Sequence, residues 1–257
     1  MVLKVINYFT GLLQIRRKTD VWLVSFPKSG NTWIRFFYLH LANRIYPGRL
    51  EQDDIISFYT LDSNMPELGY SNLDYYKWKF PEISRLVKTH SKYFWFFSKN
   101  DIVYILRDPF DVMISYYRYE LGKTNPRFKG TFSEFLRDPK FGVEALAKHF
   151  ISWKPYIKLL IKYEDLKEDP ICQFNRLLDF LKIEVPNDII IQSYNNSKAS
   201  NVKNVESKLG MTDKGKFSKE FSFVSSNKEF NFKELFSDSD ITYMNKVLSI
   251  YNLPYER

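Results

Sequence analysis

Cysteine is almost absent from this chain, since Cys172 stands alone among 257 residues. One thiol forms no intrachain disulfide, and a four-cysteine zinc site is excluded. Histidine is scarce as well; His40, His90 and His149 are scattered without the spacing of metal ligands, and no metal is expected. Long apolar runs are missing too. Residues 2–13 are fairly apolar, but Asn7, Tyr8 and Thr10 interrupt them, and they fall short of the roughly 20 residues that cross a bilayer. Cleavage after them would fall almost on the first core strand, which argues against a signal peptide. The expectation is an amphipathic N-terminal helix, no membrane anchor, and a cytoplasmic protein. Acidic residues are in deficit, 30 against 38 Lys and Arg, for a formal charge of +8. That balance suits polyanionic ligands and suits a plain basic surface equally well.

Aromatic residues are plentiful instead, with 23 Phe and 18 Tyr. Some must line a core, and others suit a pocket for a planar ligand. The length is enough for one domain over residues 1–257, and neither repeats nor linkers divide it.

The chain is organised around Val21–Phe37. Residues 21–26 read as a strand buried on both faces, and Trp33, Phe36, Phe37 and Leu41 follow at helical spacing. Between them lies Pro27-Lys28-Ser29-Gly30. A helix that starts directly from such a loop leaves backbone N–H groups unpaired, and with the helix dipole these attract an anion. Lys28 adds a charge, and Ser29, Asn31 and Thr32 add donors. The loop is not a Walker A sequence, because its lysine precedes the glycine by two positions. An ordinary strand–helix turn is the alternative.

Two further strand ends carry polar groups. Arg85–His90 ends in Lys88-Thr89-His90, and ligands of α/β sheets sit at carboxyl ends of strands; His90 is otherwise a hydrogen-bonded loop histidine. Ile102–Leu106 leads to Arg107, then Asp108 as N-cap and Pro109 at the first helical position. Phe110, Met113, Ile114 and Tyr117 form the expected buried stripe, and Ser115 faces away from it. Arg107 and Ser115 could grip a second anion, unless Arg107 only pairs with Asp108 or Asp111. Residues 131–156 read as helical, 158–163 as a strand, and the chain after Pro170 as a helix. Gly48–Phe80 reads as loop-rich, Ser193–Phe223 as a polar, mobile segment, and Asp238–Tyr251 as a last helix. The alternation gives an α/β fold with a central, mostly parallel sheet flanked by helices.

Taken in order, these pieces resemble the sulfotransferases that use 3′-phosphoadenosine 5′-phosphosulfate (PAPS). Pro27–Trp33 resembles that family's 5′-phosphosulfate loop, which is P-loop-like, and Ile102–Tyr117 its 3′-phosphate motif. Lys88-Thr89-His90 matches the strand end with the catalytic base, and Tyr163-Glu164-Asp165-Leu166 with Asp169-Pro170 is similar to a fourth landmark. The resemblance implies PAPS as donor, PAP as product, a small-molecule acceptor and no metal. It implies that Lys28 contacts the bridging oxygen and 5′-phosphate, that Ser29, Gly30, Asn31 and Thr32 bind that phosphate, and that Trp33 packs by adenine. Arg107 and Ser115 would hold the 3′-phosphate, with Tyr163 nearby, and Ser193-Tyr194 resembles a pair whose ring stacks on adenine. His90 would take the acceptor's proton, and Lys88 would support the sulfuryl oxygens. The family's Arg-Lys-Gly and Gly-Asp-Trp-Lys-Asn-x-Phe are only shadowed by Asp213–Phe221, which lacks the arginine and tryptophan. Lys214 and Gly215 are the nearest match there for the 3′-phosphate contact. The family's dimer motif is not evident, which leaves the oligomeric state open.

Two other classes compete. A kinase-like nucleotide phosphotransferase would need Mg-ATP, yet the lysine of the Pro27–Gly30 loop is displaced from the Walker A position and that loop has no Gly-Lys pair followed by a magnesium-binding Ser or Thr. A nucleic-acid binder would need a recognition motif, and none is present. For the acceptor, Tyr59, Tyr70, Tyr75, Tyr76 and Trp78 could form an aromatic wall, and Asp62, Asp74 or Glu120 could meet a cationic group. A saxitoxin-type guanidinium alkaloid is one acceptor that fits such carboxylates, in a setting of specialised metabolism.

Overall fold

The strands of the central sheet are short, and the first, third and fourth are each followed by an α-helix. The computed structural model describes residues 19–50, 55–68, 78–210, 214–218, 221–223 and 235–255, so the helix expected over 2–13 lies outside the described residues. Four strands, β1 Val21–Ser25, β2 Leu86–Thr89, β3 Ile102–Leu106 and β4 Leu159–Lys162, pair in the order β2-β1-β3-β4. Every pairing is parallel. The register sets Val24 beside Thr89 and Tyr104, and Leu106 beside Lys162, so all four carboxyl ends reach one edge. Residues 66–68 add a parallel bridge outside β2, with Glu67 opposite Lys88.

Parallel strands must be covered on both faces, and the alternating side chains divide accordingly. Trp22, Val24, Val87, Tyr104 and Leu106 face one layer. It comprises α3 Pro109–Leu121, α4 Phe132–Arg137, α5 Val143–Trp153 and α10 Asp238–Ile250. Leu23, Leu86, Val103, Ile105 and Ile161 face α1 Asn31–Ile45 and α7 Pro170–Leu181. There Phe37 and Phe174 stack with centroids 3.6 Å apart. Among the described residues, the remaining α-helices are α2 Phe58–Asn64, α6 Tyr163–Glu168, α8 Asn187–Ser197 and α9 Ala199–Leu209.

Several expectations needed correction. The stretch 131–156 breaks into α4 and α5, because Asp138 accepts from the backbone N–H groups of Lys140 and Phe141 and turns the chain. A side chain at Gly142 would also lie 2.2 Å from the carbonyl oxygen of Leu136. The buried side of α3 includes Tyr116 and Glu120, with Tyr117 only partly buried. Glu120 tolerates this position because Lys123 and Arg127 both pair with it. Most of Ser193–Phe223 is helix, and α8 lies against α1 through Ile190, Ser193 and Ser197. Within Gly48–Phe80, Ser57 and Thr60 cap α2 reciprocally.

Two histidines outside the strand-end cluster are held neutral. His149 hydrogen-bonds Tyr104 at 2.9 Å, and burial, with the nearby charge of His90, lowers its pKa to about 3. Burial and Arg44 lower His40 to about 4. Below about 6.5 the unfolded chain takes up protons that the folded chain refuses. Their stabilisation is therefore complete above pH ~6.5 and is lost as pH falls towards those depressed values. In urea titrations, His149→Gln should reduce the stability loss between pH ~7 and ~4.5 by about 2–3 kcal/mol; an unchanged loss would contradict this.

Candidate functional site

The loop from β1 to α1 takes two left-handed residues, one on either side of Ser29. Lys28 has φ 69° and Gly30 φ 102°. Glycine accepts this freely, but a lysine there carries strain of order 1–2 kcal/mol. Gly30 is the N-cap of α1, with no side-chain cap and no acidic residue in the first turn. The N–H groups of that turn therefore meet no competing carboxylate, and the dipole adds its positive end. Ser29 is buried beneath the loop. Asn31 turns inward, with Nδ2 3.4 Å from both the Leu23 carbonyl oxygen and Ser25 Oγ. Its side chain braces the loop on β1, so any ligand contact from Asn31 falls to its backbone. Thr32 is partly exposed beside it.

The second junction touches the first. Arg107, at the end of β3, is 7% exposed and donates through Nη1 to the Lys28 carbonyl oxygen at 2.9 Å. Its guanidinium lies 4.5 Å from the Tyr163 ring centroid, and its buried Nε has no hydrogen-bond partner among the described residues. Asp111 is 3.9 Å from Nη2, a loose contact, and Asp108 caps α3 through Phe110 N–H. Tyr163, the first residue of α6, presses on Gly30; a Cβ there would lie 2.4 Å from the ring. The Asp108 N–H donates to Glu164 Oε1 at 2.9 Å and ties β3 to α6. Ser115 stands partly exposed along α3.

A set of aromatic side chains continues from Tyr163. Trp33 lies edge-on to Tyr163 and Phe174, both at 6.1 Å, and Tyr194 is 6.2 Å from Phe174. Trp33 Nε1 donates to Ser197 Oγ at 3.2 Å. Ser197 escaped the sequence reading, although it stands one turn after Ser193 on α8. Ser193 itself is fully buried, and its hydroxyl donates to the Ile189 carbonyl oxygen at 2.7 Å. The backbone of the Lys214–Lys216 turn meets Thr124, past the end of α3, with Thr124 N–H donating to the Lys216 carbonyl oxygen at 3.0 Å. Gly215 accepts from Thr124 Oγ1 at 3.5 Å. Lys214 and Gly215 are thus seated at the opposite end of α3 from Arg107.

At the end of β2, His90 Nδ1 is 2.7 Å from the Ser25 carbonyl oxygen. A carbonyl only accepts, so Nδ1 carries the proton and neutral His90 keeps its lone pair on Nε2. Burial, then the Lys88 charge, lower its pKa to about 4, against the opposing pull of Glu67 and the Ser25 carbonyl. Lys88 departs from expectation: its ammonium is engaged by Glu67 at 2.5 Å. Burial would raise Glu67, but Lys88 and His90 hold it near 2. Glu67 was invisible in sequence, because only the long-range bridge to β2 brings it here.

Lys28 completes the group. Its ammonium rests 3.6 Å from the Phe223 ring centroid and 4.8 Å from that of Tyr119. Its pKa lies well below the ordinary value through burial, followed by the charges of Arg118, Arg107 and Lys88, with Glu206 opposing. Three cations crowding a fourth in a desolvated place are best relieved by an anion. The residues expected on the acceptor side fare differently. Asp62 pairs with Arg35 at 2.7 Å, and Glu120 is fully buried between Lys123 and Arg127. Trp78 belongs to the core, donating to the Ile83 carbonyl oxygen at 3.1 Å, and Tyr59 is 53% exposed. Tyr70, Asp74, Tyr75 and Tyr76 lie outside the described residues.

Comparison with known proteins identifies the family and the fold. Mouse sulfotransferase 1 family member D1 is 32% identical over 193 residues, covering 68% of this chain and 62% of that protein. The rat counterpart is 31% identical with the same coverage of 68% and 62%. The alignments thus span less than two thirds of these relatives' length. Among solved structures, mouse sulfotransferase SULT7A1 complexed with PAP superposes with a TM-score of 0.69 at 18% identity, covering 97% of this chain and 90% of that one. Retinol dehydratase in complex with androsterone and inactive cofactor PAP gives 0.66 at 16% identity, with 98% and 87% covered. At such identities the likeness establishes the fold. The sulfotransferase domain family itself matches residues 18–250, from just before β1 to the last residue of α10, and the chain belongs to that family.

Proposed function

We propose that this chain transfers the sulfuryl group of PAPS to a hydroxyl or amine of a small-molecule acceptor, and that residues 1–257 act as one catalytic domain in the cytoplasm. The observation that carries this reading is Arg107: it reaches the Lys28 carbonyl, stacks on Tyr163, and keeps a buried Nε without a partner among the described residues. A buried guanidinium N–H left unpaired is costly unless a ligand accepts from it. The residues present therefore fit a nucleotide with a phosphate at each end.

PAPS, when bound, supplies a sulfuryl group attached to a good phosphate leaving group. The first turn of α1, with Ser29, Gly30, Asn31 and Thr32, binds the 5′-phosphate through its N–H groups. Arg107 and Ser115 hold the 3′-phosphate, with Tyr163 beneath the guanidinium. Trp33 and Tyr194 flank the adenine, and Ser193 and Ser197 fix the helix that carries Tyr194. Lys28 leaves its aromatic resting place to neutralise charge on the leaving oxygen, worth roughly 3–4 kcal/mol for one preorganised donor. Contact from Lys214 and Gly215 requires their turn to close over the nucleotide.

His90 accepts the acceptor's proton on Nε2 while the Ser25 carbonyl holds Nδ1–H, a role worth about 10²–10⁴ in rate. Lys88 acts through its pair with Glu67, whose negative charge offsets the imidazolium that forms. A guanidinium acceptor receives no support from Asp62 or Glu120, because both carboxylates are already paired.

Lys28→Ala and His90→Ala should each lower transfer of radiolabelled sulfate from PAPS by about 10²-fold or more, with the melting curve unchanged. Full activity in both would refute the mechanism. Gly30→Ala must displace the Tyr163 ring and adopt an unfavourable φ; it should abolish the thermal shift given by PAP while costing about 1–3 kcal/mol of stability. A PAP shift equal to that of the unmodified protein would count against the loop as the phosphate site.

A further inference from the structure

The chain immediately after His90 forms an outward-facing aromatic knuckle. Phe94 caps a short 3₁₀ turn, Trp95–Lys99, whose Phe97 is buried against Trp22 at 4.9 Å and Trp153 at 4.8 Å. Its neighbours point outward: Phe94 is 38% and Trp95 62% exposed. Trp95 touches Phe94 and Phe96, with ring centroids 5.4 Å and 4.6 Å away. Tyr93 joins this group to the segment after α5, stacking on Tyr156 at 3.7 Å and 4°, and Tyr156 and Ile151 are exposed as well.

This apolar surface is set among lysines. Lys92, Lys99, Lys154 and Lys158 are all exposed, and none makes a salt bridge among the described residues. Neither 91–100 nor 151–158 contains Asp, Glu or Arg. The first carboxylate beyond is the exposed Asp101. The knuckle is also stiff, since Tyr93 N–H donates to Ser152 Oγ at 3.1 Å and Trp153 Nε1 to the Ser91 carbonyl oxygen at 2.9 Å.

Rings of this kind lose little by leaving water when they settle at a headgroup layer, and lysine stems reach past them to the phosphates. A protein interface is a poorer fit, because such interfaces are depleted in lysine and enriched in arginine. We propose that Lys92–Lys99, together with residues 151–158, is a peripheral docking surface for an anionic lipid bilayer. The contact is superficial and needs no spanning helix. It places the strand end that carries His90 close to the membrane surface, and it stands or falls independently of the sulfuryl-transfer reading.

The test is co-sedimentation of the full chain with phosphatidylcholine vesicles, with and without phosphatidylserine. The protein should pellet with the anionic vesicles, be released by added salt as screening requires, and stay in solution with phosphatidylcholine alone. F94A/W95A and K92E/K99E should each weaken vesicle binding by about tenfold or more, with unchanged circular dichroism and melting temperature. Absence of phosphatidylserine-dependent pelleting would overturn the proposal, and so would binding unaffected by both double variants. If the vesicles retain nothing while W95A converts a dimer to a monomer in sedimentation velocity, the patch is a contact between copies of this chain, and the lipid assignment fails.

Discussion

One hydrogen bond links the two halves of the site. The Arg107 guanidinium, at the end of β3, donates to the Lys28 carbonyl oxygen in the loop that ends β1. Tyr163, at the end of β4, fills the space that Gly30 leaves open and lies beneath the same guanidinium. Three adjacent strand ends are thereby locked into one surface. The left-handed turn at Lys28 and Gly30 is what allows this: it points the Lys28 carbonyl towards Arg107 and brings the backbone of α1 up against the Tyr163 ring. Strain in the loop is offset by contacts that only the assembled sheet can supply.

Electrostatics follow from that arrangement. Packing Lys28, Lys88, Arg107 and Arg118 within mutual range disfavours charge on Lys28 until an anion arrives. The same burial keeps His90 neutral, and the Ser25 carbonyl fixes which nitrogen holds its proton. Glu67 balances Lys88, so that lysine does not add its full charge to the surroundings of the His90 imidazole. Without the Glu67–Lys88 bridge, a protonated His90 would face an uncompensated cation.

The strands, the two strand-to-helix junctions and the N-cap at Asp108 could be read from sequence because each depends on local pattern: an apolar run, a small polar loop, an Asp-Pro pair. What escaped depends on distance. Glu67 joins the site through pairing with β2, and Ser197 through a hydrogen bond to Trp33 across 164 positions of chain. Apolar periodicity misplaced one side of α3 because Glu120, a carboxylate, is buried and satisfied by cations. It also missed α8 and α9, which bury few residues and carry a largely polar sequence. Asp62 and Glu120, two of the carboxylates offered to a cationic acceptor, are paired for the same reason: their partners lie elsewhere in the chain or on a neighbouring turn.

The central claim is that Arg107 reads a phosphate on the nucleotide's ribose while bracing the loop that reads the other. Calorimetry of PAPS and of adenosine 5′-phosphosulfate, which lacks the 3′-phosphate, with the unmodified protein and with Arg107→Ala tests it most directly. The unmodified protein should prefer PAPS by about 30-fold or more, equivalent to ~2 kcal/mol for a charge-assisted contact, and the variant should lose that preference. A variant that keeps the full preference would contradict it.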